Sequence, residues 1–435
     1  MSIAIMSLVL LGGLILAMAM AVPLGFAAGG VASLLALVEF GPEVLGLAMQ
    51  KIYGMATDIS FASVPLFILM SSLLERSRLA RDLFDSLQYL VGGVRGGVAL
   101  VTLLIAVIMA AMSGIIGGEI VMLGLVALPQ MLRLNYDRSL SIGVIVAGGS
   151  LGTMIPPSIV LIIFGLVGGA SIQALFSATV IPGLILAGSY LLYVVIRCWL
   201  NPALAPASRD AVPEGMTLKS ALMGLVPPML LIVLILGCIY GGVTSITEAA
   251  CVGVVGTLAL IVVRRELSVF LLHQALVQTL RAVGILLWVT FGVAVLISVY
   301  NLMGGRAFIN ELILGAGLTP MMTILLMLLV FLVLGCFMDW IGIVLLTIPI
   351  FLPIVVELGM SPIWFGVLFS IAMQIAFLSP PFGSAAFYLM SVAPKGVTLV
   401  DIYRSVWPFM LIQLAVLILV LLFPPLALWL PGLLP

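Results

Sequence analysis

The chain is 435 residues long, 64% hydrophobic and only 7% charged, with 16 Lys and Arg balanced by 16 Asp and Glu. Apolar stretches recur from end to end with short polar gaps, which excludes a soluble domain of ordinary size, and zero net charge gives no case for nucleic acid. At about 20 apolar residues per helical span there is room for roughly a dozen crossings, so the fold class is an all-α polytopic membrane protein set in lipid.

The first run, MSIAIMSLVLLGGLILAMAM, has no basic stretch ahead of it and reads as a retained span rather than a cleaved signal. Residues 1–96 are expected to hold scaffold helices and a cytoplasmic arm. Short cytoplasmic loops are enriched in Lys and Arg, so the few basic residues orient each later crossing. With Arg76, Arg78, Arg81 and Arg95 in the cytoplasm, residues 97–131 enter the membrane and return to the same side at Arg133 and Arg138. The next stretch crosses to an uncharged loop at 168–171, and its return leads to Arg197, Arg209 and Lys219. Another pair turns near Gly241 and comes back to Arg264, Arg265 and Arg281, after which residues 282–300 cross outward. A second run in and back, 321–357, starts outside, and the last two crossings place Lys395 and Arg404 inside. Only Lys51 and Arg306 remain on the outer face.

Residues 97–182 and 321–408 repeat one pattern. In each, two short apolar limbs (100–112 with 120–132, and 321–337 with 343–357) precede an apolar stretch longer than one straight crossing, Leu140–Val167 and Trp364–Val392. Pro129 precedes Pro156-Pro157 by the interval at which Pro353 precedes Pro380-Pro381, an offset of 224 residues both times. Pro182 and Pro408 are then expected to open the following spans. The charge map brings one copy in from the cytoplasm and the other from outside, and inverted repeats of this kind build secondary transporters with sites near the bilayer midplane. Charge cannot separate re-entrant hairpins from full crossings; limb length favours hairpins. Between the repeats, 183–320 holds central scaffold helices and a Pro-, Ala- and Ser-rich linker (199–220), and 409–435 holds a last helix.

The double prolines carry the chemistry. Proline offers no N–H to the carbonyl four residues back, so Pro156 and Pro157 free Gly152 and Thr153, and Pro380 and Pro381 free Ala376 and Phe377. Bare carbonyls at membrane depth are tolerated only inside protein or beside water, and a bound cation would satisfy them. With the hydroxyls of Ser150, Thr153 and Ser379 and the amide of Gln374 they make hard-oxygen cages suited to sodium. The half-helices starting at Ser158 and at Gly383-Ser384 aim their positive ends at the centre, where a substrate carboxylate would be received. Asp339, in the tip MDWIG, is assigned to ion binding because ionisable residues at membrane depth are functional by default. Glu119, in the glycine-rich tip SGIIGGE, is open between a functional residue of the same kind and one whose tip reaches water. Glu248 reads as the capping partner of Ser245 and His273 as an interfacial residue. Cys198, Cys238, Cys251 and Cys336 lack CxxC spacing and read as packing residues.

At these residues the sequence resembles the large membrane subunit of the tripartite ATP-independent periplasmic (TRAP) transporters. SGIIGGE (113–119) is similar to the family's Ser-Gly hairpin tip with its downstream acid, GGSLGTMIPPSI (148–159) to its first PPS motif, and GCFMDWIGIVLLTIPIFLPI (335–354) with SPPFG (379–383) to its second repeat. Ile115 stands where a hydroxyl is common, Glu119 where Asp is usual, and SITEA (245–249) lacks the proline of TPTEA. The resemblance implies a bacterial inner-membrane symporter driven by sodium, with a scaffold around an elevator-like transport domain that carries two re-entrant hairpins and two broken helices. It implies Ser113 and Gly114 as sodium ligands at the first tip, and no cofactor beyond coupling sodium ions. Two partners follow, a small membrane subunit as a separate chain and a periplasmic substrate-binding protein that selects a small organic acid such as a dicarboxylate. The runner-up is a transporter of the same superfamily that needs no binding protein; sodium-dependent concentrative uptake would exclude a passive channel. An intramembrane protease would need HExxH, a Ser-His pair or two facing aspartates, which one His and Asp339 do not supply, so no enzyme is expected.

Overall fold

The computed structural model describes residues 2–91, 93–114, 117–206, 216–315 and 317–433. Ile115 and Arg209 lie outside them. The described residues form helices and no strand. First come α1 (Ile3–Ala19), α2 (Leu24–Phe40), α3 (Val44–Ala56), α4 (Ser63–Arg76) and α5 (Leu79–Val91). Next come α6 (Gly97–Ser113), α7 (Gly118–Arg133), α8 (Arg138–Ser150) and α9 (Ile159–Gly168). Then follow α10 (Ile172–Leu200), α11 (Leu218–Tyr240), α12 (Ile246–Val263), α13 (Val269–Leu302) and α14 (Gly305–Leu314). After these come α15 (Pro320–Gly335), α16 (Trp340–Glu357), α17 (Pro362–Leu378), α18 (Ser384–Met390), α19 (Leu399–Leu422) and α20 (Pro425–Leu428). Seven of the described helical segments are long and apolar enough to cross a membrane.

Polar residues at the span ends start these helices. Capping boxes of Thr217 with Ser220, Ser245 with Glu248, and Thr398 with Asp401 satisfy the first N–H groups of α11, α12 and α19. Glycine brings α2 and α13 together: a Cβ on Gly292 would lie 1.8 Å from the Gly25 carbonyl oxygen. Between helices in lipid such close approach matters, because burial of apolar surface supplies little drive there. Arg76 is joined to Gln274 and Gln278, the backbone N–H of Arg78 to Glu266, Arg264 to Asp82, and Arg138 to Asp401. Thr247 is joined to the Ile59 carbonyl and Gln173 to the Ile239 carbonyl.

Four expectations change. The outward crossing at 282–300 is the last part of α13, which begins at Val269 and runs about 51 Å for its 34 residues. Arg281 sits on this helix, about 31 Å before its end and so about one hydrocarbon thickness away. Pro182 and Pro408 lie inside α10 and α19 rather than opening them, since those helices start at the caps Ser171 and Thr398. For the same reason the boundaries at 182 and 408 cut through single helices, whereas those at 97 and 320 fall on helix starts. Finally, Cys251 is exposed on α12, while Cys198 is buried.

Candidate functional site

Both long stretches are interrupted at their double prolines, and both Pro-Pro peptide bonds are cis. In the first, α8 ends at Ser150, a 3₁₀ turn covers Leu151–Thr153, and α9 starts after the extended Ser158. The Ser150 hydroxyl donates to the Ala147 carbonyl at 2.7 Å and that of Thr153 to the Ser150 carbonyl at 3.1 Å. Each spends its one proton on backbone and keeps lone pairs for an ion. The Thr153 carbonyl, expected to be bare, accepts from Ser158 Oγ at 2.6 Å and from Ser370 Oγ at 2.9 Å. Both lone pairs are used, which removes it from the ligand set. Gly152 is buried within the turn.

The first hairpin tip docks on this break. The Gly114 carbonyl accepts from the Ile159 N–H at 3.1 Å, and a Cβ on Gly114 would lie 2.3 Å from the Pro157 oxygen. At φ +62° the position also favours glycine. Of the two alternatives for Glu119, water access is removed: it is fully buried, and the Ser113 hydroxyl is bonded to its carboxylate. Beneath the tip lies Glu75 of α4, which accepts from Ser71 at 3.0 Å and from Gln278 Nε2 at 3.1 Å.

At the second break α17 runs on to Leu378, and Ser379 gives the Ala376 carbonyl its N–H at 3.2 Å and its hydroxyl at 3.1 Å. That carbonyl, too, is not bare. Asp339 is the N-cap residue of α16 and lines a cavity of about 10 Å³ with Ala376, Phe377 and Ser384. Gln374 is fully buried, and neither its oxygen nor its nitrogen has a hydrogen-bond partner. Pro380 and Pro381 are exposed beside Tyr403, whose hydroxyl donates to the Pro381 carbonyl at 3.0 Å; Pro156 and Pro157 are buried. Gly383 is buried at the cap of α18, where a Cβ would meet the Tyr403 ring at 2.9 Å.

The structure thus gathers Ser150, Gly152, Thr153 and Ser158 at one break, with Ser113 and Gly114 against it, and Asp339, Ala376, Phe377 and Ser384 at the other. Ser379 lies at the end of α17. Ser370 was missed by sequence reasoning, although it stands one turn before Gln374 on the same helix face. Glu248 is the capping residue expected, accepting the Ser245 N–H at 2.7 Å, and His273 is exposed near the start of α13. A further cavity of about 430 Å³, within the range of small-molecule sites, lies between α3, α9, α13 and α16, with Lys51, Asp58, Ser298 and Asn301 on its wall.

Over residues 11–426 the sequence matches the family described as Tripartite ATP-independent periplasmic transporter, DctM component. It is 30% identical over 410 residues to the C4-dicarboxylate TRAP transporter large permease protein DctM of Pseudomonas aeruginosa, with 93% of each chain covered. It is likewise 30% identical over 387 residues to an ectoine/5-hydroxyectoine TRAP transporter large permease protein of Ruegeria pomeroyi, covering 88% of each. The fold resembles the YdaH transporter of Alcanivorax borkumensis, with a TM-score of 0.59 at 15% identity over 91% of this chain and 90% of that one. At that identity the likeness is one of fold alone.

Proposed function

The chain belongs to the DctM family of tripartite ATP-independent periplasmic transporters, a family of inner-membrane permeases and not of enzymes, and we propose that it is the large subunit of a sodium-coupled symporter for a small organic acid. The observation that carries the sodium reading is the cavity at Asp339. It holds about one small ion or water, a carboxylate lines it, and no basic side chain does. A cation beside the Asp339 carboxylate would balance its charge, and Asp339 and Ser384 are the oxygen-bearing side chains on a wall that is otherwise largely apolar.

In this reading Asp339, the Phe377 carbonyl and Ser379 form one cage, without the engaged carbonyl of Ala376. The other is built from Ser150, the Gly152 carbonyl and the Thr153 hydroxyl, with Ser113 and Gly114 from the tip and Gln374 from α17. Substrate carboxylate would meet Ser158, Gly383 and Ser384. The first N–H of α9 is given to Gly114, so that end receives a solute only once the tip moves. One break is sealed and the other is exposed next to Tyr403, the neighbour of cytoplasmic Arg404, which supports a cytoplasm-facing arrangement in an elevator cycle of two inverted repeats. A small membrane subunit and a periplasmic binding protein would complete the transporter. Relatives named for C4-dicarboxylates and for ectoine leave the choice of solute to that binding protein.

The test is thermal unfolding of the purified full chain in sodium against choline. Ligand bound only by the folded state raises the melting temperature with concentration. A sodium-specific rise is expected, reduced in Asp339→Asn; no rise in the unaltered protein would end the sodium reading.

A further inference from the structure

The cavity of about 430 Å³ between α3, α9, α13 and α16 takes no part in the proposed cages. On α9 its wall begins at Leu166, about 12 Å along the helix from Ser158; on α16 it begins at Leu345, about 9 Å beyond Asp339. It is a neighbour of both breaks and a part of neither. The helices divide its wall by chemistry: α9 and α16 supply only apolar residues, whereas every polar one comes from α3, α13 and the turn after α3. Those polar side chains differ in what they offer. Lys51 carries only donors, and no acid pairs with it among the described residues. Asp58, at the end of α3, offers only acceptors; Oδ1 takes the Ser60 N–H at 2.8 Å and Oδ2 remains free. Both residues are exposed, so a solute can reach them. Ser298 gives its hydroxyl proton to the Ala294 carbonyl at 2.8 Å and Thr290 to the Leu286 carbonyl at 2.7 Å, which leaves each with lone pairs only. The amides of Gln50 and Asn301 can serve either way.

A solute carrying only a carboxylate would suit Lys51 and meet the lone pairs of Asp58, Ser298 and Thr290. One carrying only an ammonium would suit those three and meet Lys51. A solute with both groups satisfies the whole wall, and like-charge contact works against the other two. We propose that this cavity binds a small zwitterionic acid, its carboxylate at Lys51 and its cationic nitrogen at Asp58, Ser298 and Thr290, with its carbon frame against Leu166 and Leu345. The proposal deepens the organic-acid reading above and rests on it: the transported acid carries a cationic nitrogen as well.

The purified full chain, at constant sodium, is titrated with straight-chain amino acids from 3-aminopropanoate to 6-aminohexanoate, and with the carboxylate and the amine of matching length. The concentration giving half of the melting-temperature rise is read. At least one amino acid should saturate at about one-tenth of the concentration that its carboxylate or amine needs, because a hydrogen bond to a charged group is worth about tenfold or more in affinity. Lys51→Met should raise that concentration about tenfold for the amino acid and not weaken the amine. Asp58→Asn keeps an oxygen for the Ser60 N–H; it should raise the concentration for the amino acid and not weaken the carboxylate. Both positions are exposed, so neither substitution disturbs the packing. A carboxylate that saturates as readily as its amino acid overturns the zwitterion and keeps the organic-acid reading. An amino acid indifferent to both substitutions binds elsewhere, and a series that never raises the melting temperature leaves the cavity unfilled. Either result overturns the proposal, while the comparison of sodium with choline judges the transport reading on its own.

Discussion

A methyl group is enough to probe the first hairpin tip. A Cβ on Gly118 would lie 1.9 Å from Glu75 Oε1, and that carboxylate is held in place by Ser71 and Gln278. Gly118→Ala should therefore destabilise the protein by about 1–3 kcal/mol, the usual cost of overpacking a filled site, whereas Gly188→Ala, with open space around it, should not. Comparing the two melting temperatures checks this. Gln374→Leu separates a ligand from a packing residue. It removes two buried groups without partners, so stability without sodium should hold or rise, while the sodium-specific rise at the first break weakens. Asp339, Gln374 and the prolines were legible because a polar or helix-breaking residue at membrane depth is itself the signal. Ser370 and Glu75 were not: their distant partners, Thr153 and Gln278, lie 217 and 203 residues away in the chain, and nothing in an apolar helix announces such an encounter.

Among the elements, the breaks and the caps make opposite predictions. Replacing Pro380 and Pro381 together by Ala restores two backbone donors, so α17 should run on toward α18 and the sodium-specific rise should be reduced with membrane insertion intact. Retention of a full sodium response in that variant would show that the interruption is not needed for the site. Ser171→Ala removes the hydroxyl that accepts the Ala174 N–H at the start of α10 and should cost about 1 kcal/mol in thermal unfolding. The breaks were readable from paired prolines at matched spacing. Pro182 and Pro408 misled for a physical reason: a proline in a helix forfeits one hydrogen bond, and neighbouring helices can compensate for it, so the strong caps at Ser171 and at Thr398 with Asp401 decide where α10 and α19 begin.

For the molecule as a whole, sidedness is the testable property. In a background without the four native cysteines, cysteine at Lys51 or Arg306 should react with a membrane-impermeant thiol reagent from the periplasmic side, and at Arg95 or Lys395 from the cytoplasmic side. All four positions are exposed, and labelling of Lys51→Cys from the cytoplasm would break the charge map. The apolar stretches and the two interruptions are determined by sequence alone, because hydrophobicity and the missing N–H of proline act locally, and the sidedness expected of the basic residues is read from the same local signals. Only the tertiary structure decides which freed carbonyls stay bare, which break is sealed and which side chains wall one cavity. Those outcomes depend on lone pairs and protons brought together from helices far apart in the chain, and hydrophobic pattern carries no record of such encounters.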